Sequence, residues 1–437
     1  MEWWLILLTI VGSLLVLMFL GLPVAFCFIL INIIGVSIFW GTDIGLRQLV
    51  ISMFQSVIRF NLLPIPLFVL MGELLFQSRL APLMLDALDS WLGRLPGRLG
   101  LLAIAGGTLF GALCGQSMAT NAMLGEVLVP EMENRGYKKP MSLGPILGSG
   151  GLATMIPPST LAVFLASLTG TSVGGLLLAG IAPGLVMAAL YAAYTIIRCY
   201  LQPSLAPSYE VILPPLSTKV SLTAKNVLPV AIIILAVTGV IFLGVATPTE
   251  AAATGCLATF ILVAAYGRLN WQVLKPCCFG TVTVTGMLLF IMAGSVAFSQ
   301  IIAYSGASRE LAQFAVNFPL PTIGLVAIMI VLLIILGMFM GVVSMVMITM
   351  PIFVPVVQSL GIDVLWFSVL VLLTMEMGST SPPFGLSLFV MKGVAPRDTT
   401  MGDVYRAALP YLFCDAIVMV LMIVFPILPL WIPSMMR

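Results

Sequence analysis

Two clusters of small, uncharged polar residues lie inside apolar stretches of this chain. The first cluster consists of Gly115, Ser117, Thr120, Asn121, Gly148, Ser149, Gly151, Thr154 and Ser159. The second consists of Gly337, Gly341, Ser344, Thr374, Glu376, Gly378, Ser379, Thr380 and Ser381. Hydroxyl, amide and carbonyl oxygens are the ligands that hard cations prefer. Both clusters therefore predict sites for Na⁺ or for a substrate. Na⁺ is the only metal ion we expect, and we expect it as a coupling ion rather than as a cofactor.

A pair of helix-breaking prolines follows each cluster, Pro157-Pro158 in the first and Pro382-Pro383 in the second. Glycine and proline interrupt helices and leave backbone carbonyls unpaired. At membrane depth such carbonyls have to line a polar cavity or coordinate something, and helix N-termini carry partial positive charge that favours an anion. The simpler alternative is that Ser, Thr and Gly only let helices pack closely.

Glu376 is the one acid in the two clusters, and acids near mid-membrane are costly and usually functional; the alternative is a buried structural pair. The chain has no histidine, which excludes His-ligated metal sites and His general bases. It contains no phosphate-binding loop of the P-loop type, so the sequence does not indicate ATP as an energy source. The sequence has no stripe of basic residues that would indicate nucleic-acid binding. These exclusions favour a transporter over an enzyme.

Apolar patterning places the clusters in a lipid bilayer. The residues are 61% hydrophobic and 8% charged, whereas about a quarter are charged in soluble proteins. Many apolar runs reach the roughly 20 residues that span a bilayer, and in lipid these must be helices. The first run, Trp3 to Leu20, lacks a basic start and a cleavage site, so we expect no cleavable signal peptide. The sequence predicts an all-α polytopic membrane protein.

The sequence repeats loosely at an offset of 225 residues. The matching landmarks are Pro23 with Pro248, Pro130 with Pro355, Gly136 with Gly361, and Pro157-Pro158 with Pro382-Pro383. We predict a first repeat over 1–201, with scaffold spans in 1–98, a hairpin and broken helix in 99–168 and a closing span in 173–201. A linker over 202–225 leads to a second repeat over 226–437, with scaffold spans in 226–305, a hairpin and broken helix in 320–391 and a closing span in 407–432.

A Gly-interrupted stretch in each repeat fits either one crossing or a re-entrant hairpin, and the basic residues decide between them. With a hairpin each repeat crosses five times, the second copy is inverted, and fourteen basic residues share one side. They are Arg79, Arg94, Arg98, Arg135, Lys138, Lys139, Arg198, Lys219, Lys225, Arg268, Lys275, Lys392, Arg397 and Arg406. The other side has Arg47, Arg309 and Arg437, and Arg59 falls inside a span. Basic residues mark the cytoplasm, so we expect both termini in the periplasm and a cytoplasmic linker.

Several motifs together resemble one transporter family. They are LVPEMENRGY (128–137), GPILGSGGLATMIPPS (144–159), GVATPTEAAA (244–253) and SPPFG (381–385). Over nearly the whole chain they are similar to the large membrane subunit of tripartite ATP-independent periplasmic (TRAP) transporters, the DctM type. The tip at Cys114-Gly115-Gln116-Ser117 departs from the family's usual Ser-Gly-Ser-Ser, and Gly341 replaces its usual Asp.

The resemblance implies an elevator-type transporter with inverted repeats in the bacterial inner membrane. It further implies sodium-coupled uptake of a small organic anion, a carboxylate or sulfonate, delivered by a periplasmic binding protein. A small four-helix TRAP membrane subunit is the implied partner, expected as a separate chain. One alternative is a stand-alone sodium/carboxylate elevator transporter without a binding protein. An intramembrane enzyme is a second alternative, for which no catalytic dyad or metal cluster is evident.

Overall fold

The structure is a computed structural model that describes residues 2–93, 95–207 and 214–436. Arg94 and Arg437, which entered the charge count, and 208–213 of the predicted linker lie outside the described residues. Within the described ranges all regular structure is helical. The predicted all-α fold is therefore confirmed.

The first half of the chain contains eleven α-helices within the described residues. They are α1 (Trp3–Phe19), α2 (Val24–Phe39), α3 (Thr42–Val57), α4 (Pro64–Gln77), α5 (Leu80–Leu92), α6 (Arg98–Cys114), α7 (Ser117–Asn134), α8 (Lys139–Met155), α9 (Thr160–Thr169), α10 (Val173–Ala179) and α11 (Ile181–Leu201).

The second half follows the same order. Its helices are α12 (Leu216–Leu222), α13 (Leu228–Phe242), α14 (Pro248–Ala265), α15 (Trp271–Tyr304), α16 (Ala307–Asn317), α17 (Thr322–Phe339), α18 (Val342–Ser359), α19 (Val364–Thr380), α20 (Leu386–Val394), α21 (Met401–Val424) and α22 (Ile427–Ser434). Helices α18 and α19 begin and end 225 residues after α7 and α8. The helix boundaries thus follow the offset of the landmarks, while the inverted orientation stays a prediction.

The two halves differ at the third span of each repeat, which the sequence predicts over about 50–77 and 283–304. In the first half the chain breaks between α3 and α4, whereas α15 runs unbroken for 34 residues. Pro64 and Pro66 begin α4, and the corresponding positions of α15 hold Leu289 and Ile291. Proline lacks the N–H that a continuous helix needs, so the break forms in the first half alone.

Among the described residues, eight helices are long and apolar enough to cross a membrane, or up to nine if one bent pair counts as a single span. That pair is α8 and α9, bent by 47°, where the sequence predicts a broken span. The prolines at 157–158 and 382–383 separate α8 from α9 and α19 from α20. Helix α12 continues through a π-helical turn into α13, so helix begins inside the segment predicted as linker, directly after Pro214-Pro215.

Helices α8 and α19 form the centre of the structure. All residues from Met141 to Met155 of α8 are buried, as are all from Trp366 to Thr380 of α19. Helix α8 packs against α6, α7, α21 and α19, while α15 packs against α2, α3, α4 and α18. The core therefore places the two helices that carry the polar clusters next to each other.

Candidate ion and substrate site

Glu376 links the two halves of the chain. Its side chain is 2% exposed and accepts hydrogen bonds from the Ser117 hydroxyl on Oε1 (3.1 Å) and from the Thr154 hydroxyl on Oε2 (3.4 Å). Ser117 is the first residue of α7, and Thr154 lies in the last turn of α8. An acid of the second cluster is thus held by two hydroxyls of the first.

The Glu376 carboxylate forms no ion pair within the part of the chain that the structure describes. The ion pairs of the described chain join Arg98 to Asp89, Arg135 to Glu131, and Lys139 to Glu133 and Asp398. A buried carboxylate without a charged partner is expensive unless a cation or proton compensates it. Hydroxyl donors together with an unpaired carboxylate suit a hard cation.

A cavity of about 200 Å³ lies beside this carboxylate. The two helix breaks at 115–116 and 340–341 will be called hairpin tips 1 and 2. The cavity is lined by Gln116 and Ser117 of tip 1, Val342 and Val343 next to tip 2, Thr154 and Thr160 of the first broken helix, Met375, Glu376 and Ser379 of the second, and Val284, Met287 and Leu288 of α15. Both hairpins and both broken helices therefore meet at one cavity, which α15 covers with an apolar wall.

Asn121 is a second unusual polar group. It is fully buried, and neither its amide oxygen nor its amide nitrogen has a hydrogen-bond partner. A Cβ added at Gly150 would lie 2.5 Å from each of these two atoms. Buried amides are normally satisfied, so Asn121 is the residue of the first cluster best suited to bind a ligand through its side chain. Only glycine at 150 leaves it room.

Other members of the first cluster have local roles. The Thr120 hydroxyl donates to the Gln116 carbonyl at tip 1, and the Ser149 hydroxyl donates to the Ile146 carbonyl within α8. Ser159 caps α9 by accepting from the Ala162 amide. These three hydroxyls are engaged by the backbone, which agrees with the simpler alternative for them.

The glycines of the first cluster allow close packing around the cavity. A Cβ at Gly151 would lie 2.8 Å from Cγ of Glu376, and one at Gly148 would lie 2.5 Å from the Tyr411 ring. Gly115 has φ +59°, and its Cβ would lie 2.8 Å from the Thr160 amide nitrogen. Larger residues at these positions would push the tip and the broken helix away from Glu376.

The second cluster is divided between two places. Ser379 and Thr380 donate to the Glu376 carbonyl, and Thr374 donates to the Leu370 carbonyl, so these hydroxyls bond to their own helix. Gly337 and Gly378 approach so closely that a Cβ on either would lie 3.0 Å from the other's Cα. This part of the cluster packs α17 against α19.

Gly341 and Ser344 do not reach the central cavity. They line a second cavity of about 230 Å³ beside the Gly21-Leu22-Pro23 turn. Near the proline pair, a Cβ at Gly385 would lie 2.4 Å from the Ser379 carbonyl oxygen and 2.8 Å from that of Ser381. The missing side chain at Gly385 thus leaves room for these two carbonyl oxygens, and the Gly385 amide donates to that of Ser381.

Some lining residues carry little signal in the sequence. Gln116 lies inside a polar run, and Thr160 follows the first proline pair. Val284, Met287 and Leu288 belong to an ordinary apolar span, and nothing in their types marks them as cavity residues.

The family profile described as "Tripartite ATP-independent periplasmic transporter, DctM component" matches residues 11–428. The chain belongs to this family. It is 31% identical to the C4-dicarboxylate TRAP transporter large permease protein DctM of Rhodobacter capsulatus, over 98% of this chain and 99% of that protein. The resemblance of the motifs to the TRAP large subunit is thereby confirmed.

Other DctM relatives differ in the transported compound. The chain is 27% identical to the ectoine TRAP transporter large permease protein TeaC of Halomonas elongata, over 97% of both chains. It is 28% identical to the isethionate TRAP transporter permease protein DctMQ of Oleidesulfovibrio alaskensis, over 94% of this chain and 66% of that protein. Membership in the family therefore does not name a substrate.

Two solved transporters share the fold. The YdaH transporter of Alcanivorax borkumensis superposes with a TM-score of 0.64 at 16% identity, covering 90% of this chain and 91% of that one. MtrF of Neisseria gonorrhoeae, of a class of antimetabolite efflux pumps, gives 0.59 at 15% identity, over 88% and 85%. The DctM chain is thus a polytopic membrane protein with the fold of known transporters.

Proposed function

We propose that this DctM protein imports a small organic anion, a carboxylate or sulfonate, together with sodium ions. In this proposal it is the large subunit in a bacterial inner membrane, works with a small four-helix TRAP membrane subunit, and receives substrate from a periplasmic binding protein. The observation that carries the proposal is the Glu376 carboxylate, which forms no ion pair within the described residues and lies beside a cavity lined by hairpin tip 1 and by the first residues of α18, next to hairpin tip 2.

Charge balance supports sodium coupling. Among the described residues, the central cavity is lined by one acid and no basic side chain. A monoanionic substrate would raise the negative charge there to two, which a poorly hydrated site cannot hold unpaired. Two sodium ions would make the loaded cavity neutral. A neutral loaded site crosses a bilayer at lower cost than a partly filled one, which couples movement to loading.

The same stoichiometry supplies the driving force. Two sodium ions with a monoanion move one net positive charge, so each 100 mV adds about 2.3 kcal/mol. Each tenfold sodium gradient adds about 1.4 kcal/mol per ion. Together they give about 5 kcal/mol, enough for a substrate gradient of several thousandfold. One sodium ion would be electroneutral and would limit accumulation to about tenfold.

The packing supports an elevator movement. The cavity is formed on one side by polar residues of the first hairpin and of the two broken helices, together with Val342 and Val343 of the second hairpin. On the other side it is formed by Val284, Met287 and Leu288 of α15. An apolar wall makes no directional bonds to the polar side, so the two surfaces can slide past each other. Helix α15 would then belong to the fixed scaffold, and the hairpins with the broken helices would carry the site.

The test is uptake into proteoliposomes that contain both membrane subunits, with the binding protein and its ligand outside. We expect uptake to need an inward sodium gradient, with a Hill coefficient above one, and to rise with an inside-negative potential. Full uptake with potassium or proton gradients alone would contradict sodium coupling. Uptake without the binding protein would favour the stand-alone alternative.

Orientation has a separate test. We expect both termini in the periplasm, with Arg309 outside and Lys219 inside. In right-side-out vesicles, an impermeant thiol reagent should therefore label Arg309→Cys and spare Lys219→Cys until the membrane is permeabilised. The reverse pattern would exclude the proposed inverted-repeat topology.

A further inference from the structure

A separate cavity of about 230 Å³ contains the one basic residue that the charge count left inside a span. It is lined by Arg59, Ser167, Ser299 and Gln300, and by Pro351 and Pro355 among apolar residues. Arg59 lies in the break between α3 and α4, with Ser299 and Gln300 on α15, Ser167 on α9 and the prolines on α18. The cavity thus lies between the proposed scaffold and the proposed moving part.

This cavity lies far from the basic end of the molecule. On α15 its polar residues come about 28 positions after Trp271, which is about 40 Å along a helix. On α9 Ser167 is near the end of the bent pair that starts at Lys139. The basic residues Arg268 and Lys139 mark the opposite ends of these helices. In the proposed topology the cavity therefore faces the periplasmic side.

Arg59 is available to bind an anion. Its side chain is exposed, no acid lines the cavity, and none of the ion pairs in the described chain uses it. The Gln300 oxygen accepts from the Ser52 hydroxyl at 2.6 Å, which leaves its amide nitrogen as a donor. A guanidinium with hydroxyl and amide donors nearby is the arrangement that binds carboxylates and sulfonates.

The internal repeat does not account for this arginine. The residue 225 positions later is Val284, which belongs to the unbroken α15. The two halves therefore differ at this position, where the first half has a positively charged side chain and the second half has an apolar one. A break caused by Pro64 exposes backbone and side chain here, and the counterpart in α15 stays apolar.

We propose that Arg59, Ser299 and Gln300 form an entry site that holds the carboxylate or sulfonate of the substrate before it reaches the central cavity. The direction and the substrate class rest on the proposed function. The anion-binding property itself does not, because it follows from the charge and donors of this cavity. An entry site with positive charge would offset the repulsion that Glu376 exerts on an arriving anion.

The experiment uses a cysteine reporter at Ser299 in the full-length protein in nanodiscs. Cys278 is exposed, so every variant is made in a Cys278→Ser background. The labelling of this background protein without the Ser299→Cys reporter is subtracted. Rates of modification of Ser299→Cys are measured with a negatively charged and a positively charged methanethiosulfonate. A single-sign cleft raises local counterion concentration by about tenfold or more. We therefore expect Arg59→Gln to lower the negative-to-positive rate ratio at least about tenfold and Arg59→Lys to retain most of it.

Arg309→Gln is the matched control, because Arg309 lies at the same end of the molecule but not in the cavity. It should leave the rate ratio unchanged. Millimolar methanesulfonate should slow labelling in the reporter protein and in its Arg59→Lys variant, which keep a positive charge at this position, and should have no effect in Arg59→Gln.

An unchanged rate ratio in Arg59→Gln would overturn the entry site. The entry site would also be overturned if neither Ser299→Cys nor Ser167→Cys reacts, because a substrate anion could then not reach the cavity either. The measurement involves no sodium gradient, binding protein or transport, so failure here is separable from failure of sodium coupling.

Discussion

Replacing Glu376 with Gln is expected to weaken sodium binding while leaving the fold intact. Glutamine has nearly the same volume and keeps an oxygen that can accept from Ser117, which now donates at 3.1 Å. It removes the negative charge, which has no cationic partner in the described chain. In sodium-free buffer we expect the variant to be at least as stable as the wild type, since an uncompensated buried charge is lost.

The size of the effect follows from Coulomb's law. A cation in the central cavity would lie about 5 Å from the carboxylate, where an effective dielectric constant of about 20 gives an attraction of about 3 kcal/mol. This corresponds to about a hundredfold in affinity. The side chain is only 2% exposed, so solvent screening reduces the attraction little.

Sodium-dependent thermal stabilisation measures this directly. Ligands that bind the folded state raise the melting temperature with concentration, and the sodium concentration that gives the same rise in melting temperature should be about a hundredfold higher for Glu376→Gln than for the wild type. Glu126→Gln is the control, because Glu126 is exposed on α7. The assignment of Glu376 to a sodium site would be refuted if Glu376→Gln needed the same sodium concentration as the wild type, or if Glu126→Gln needed as large an increase as Glu376→Gln.

Two further predictions concern stability. Gly150→Ala would place Cβ 2.5 Å from both amide atoms of Asn121, an overpacking that costs about 1–3 kcal/mol and should lower the melting temperature; Gly12→Ala, with open space around it, should not, and equal effects would contradict the packing argument. The hydrogen bond from Lys139 lowers the pKa of the Asp398 carboxyl. The pair therefore stabilises the fold at pH values above the ordinary Asp pKa of about 3.9, and this contribution is lost as the pH falls through the lowered pKa. Melting temperatures of Asp398→Asn and wild type should differ at pH 7 and converge in acid, and a constant difference would contradict this linkage.

The sequence predicts much of this fold because helix breaks depend on local chemistry. The proline pairs and the tip glycines act on their own backbone, so the ends of α7, α8, α18 and α19 can be predicted from residue types. The break before Pro64 is equally local. The predicted span over 50–77 misses it, because this apolar run is continuous in hydropathy and the span follows hydropathy alone.

The site itself can be predicted only in part. Ser117, Thr154 and Glu376 are candidates from their residue types, but their hydrogen bonds connect residues more than 200 positions apart, and no local pattern encodes such a contact. Likewise, whether a hydroxyl such as that of Ser149 faces a ligand or its own helix depends on its rotamer. The separation of Gly341 from the central cavity also depends on how the two halves pack.

The unbroken helix α15 also constrains the surrounding lipid. From Pro276 to Phe298 it carries no charged or amide side chain, and these roughly 23 helical residues extend about 34 Å, somewhat beyond the roughly 30 Å of a bilayer's hydrocarbon core. Trp271 and Lys275 near its start are suited to the headgroup region. The helix therefore has to tilt somewhat beyond the average of about 20° or thicken the bilayer around it. Its tilt would change with the acyl-chain length of the lipids. The thickness of the host membrane would therefore affect how Val284, Met287 and Leu288 pack against the central cavity.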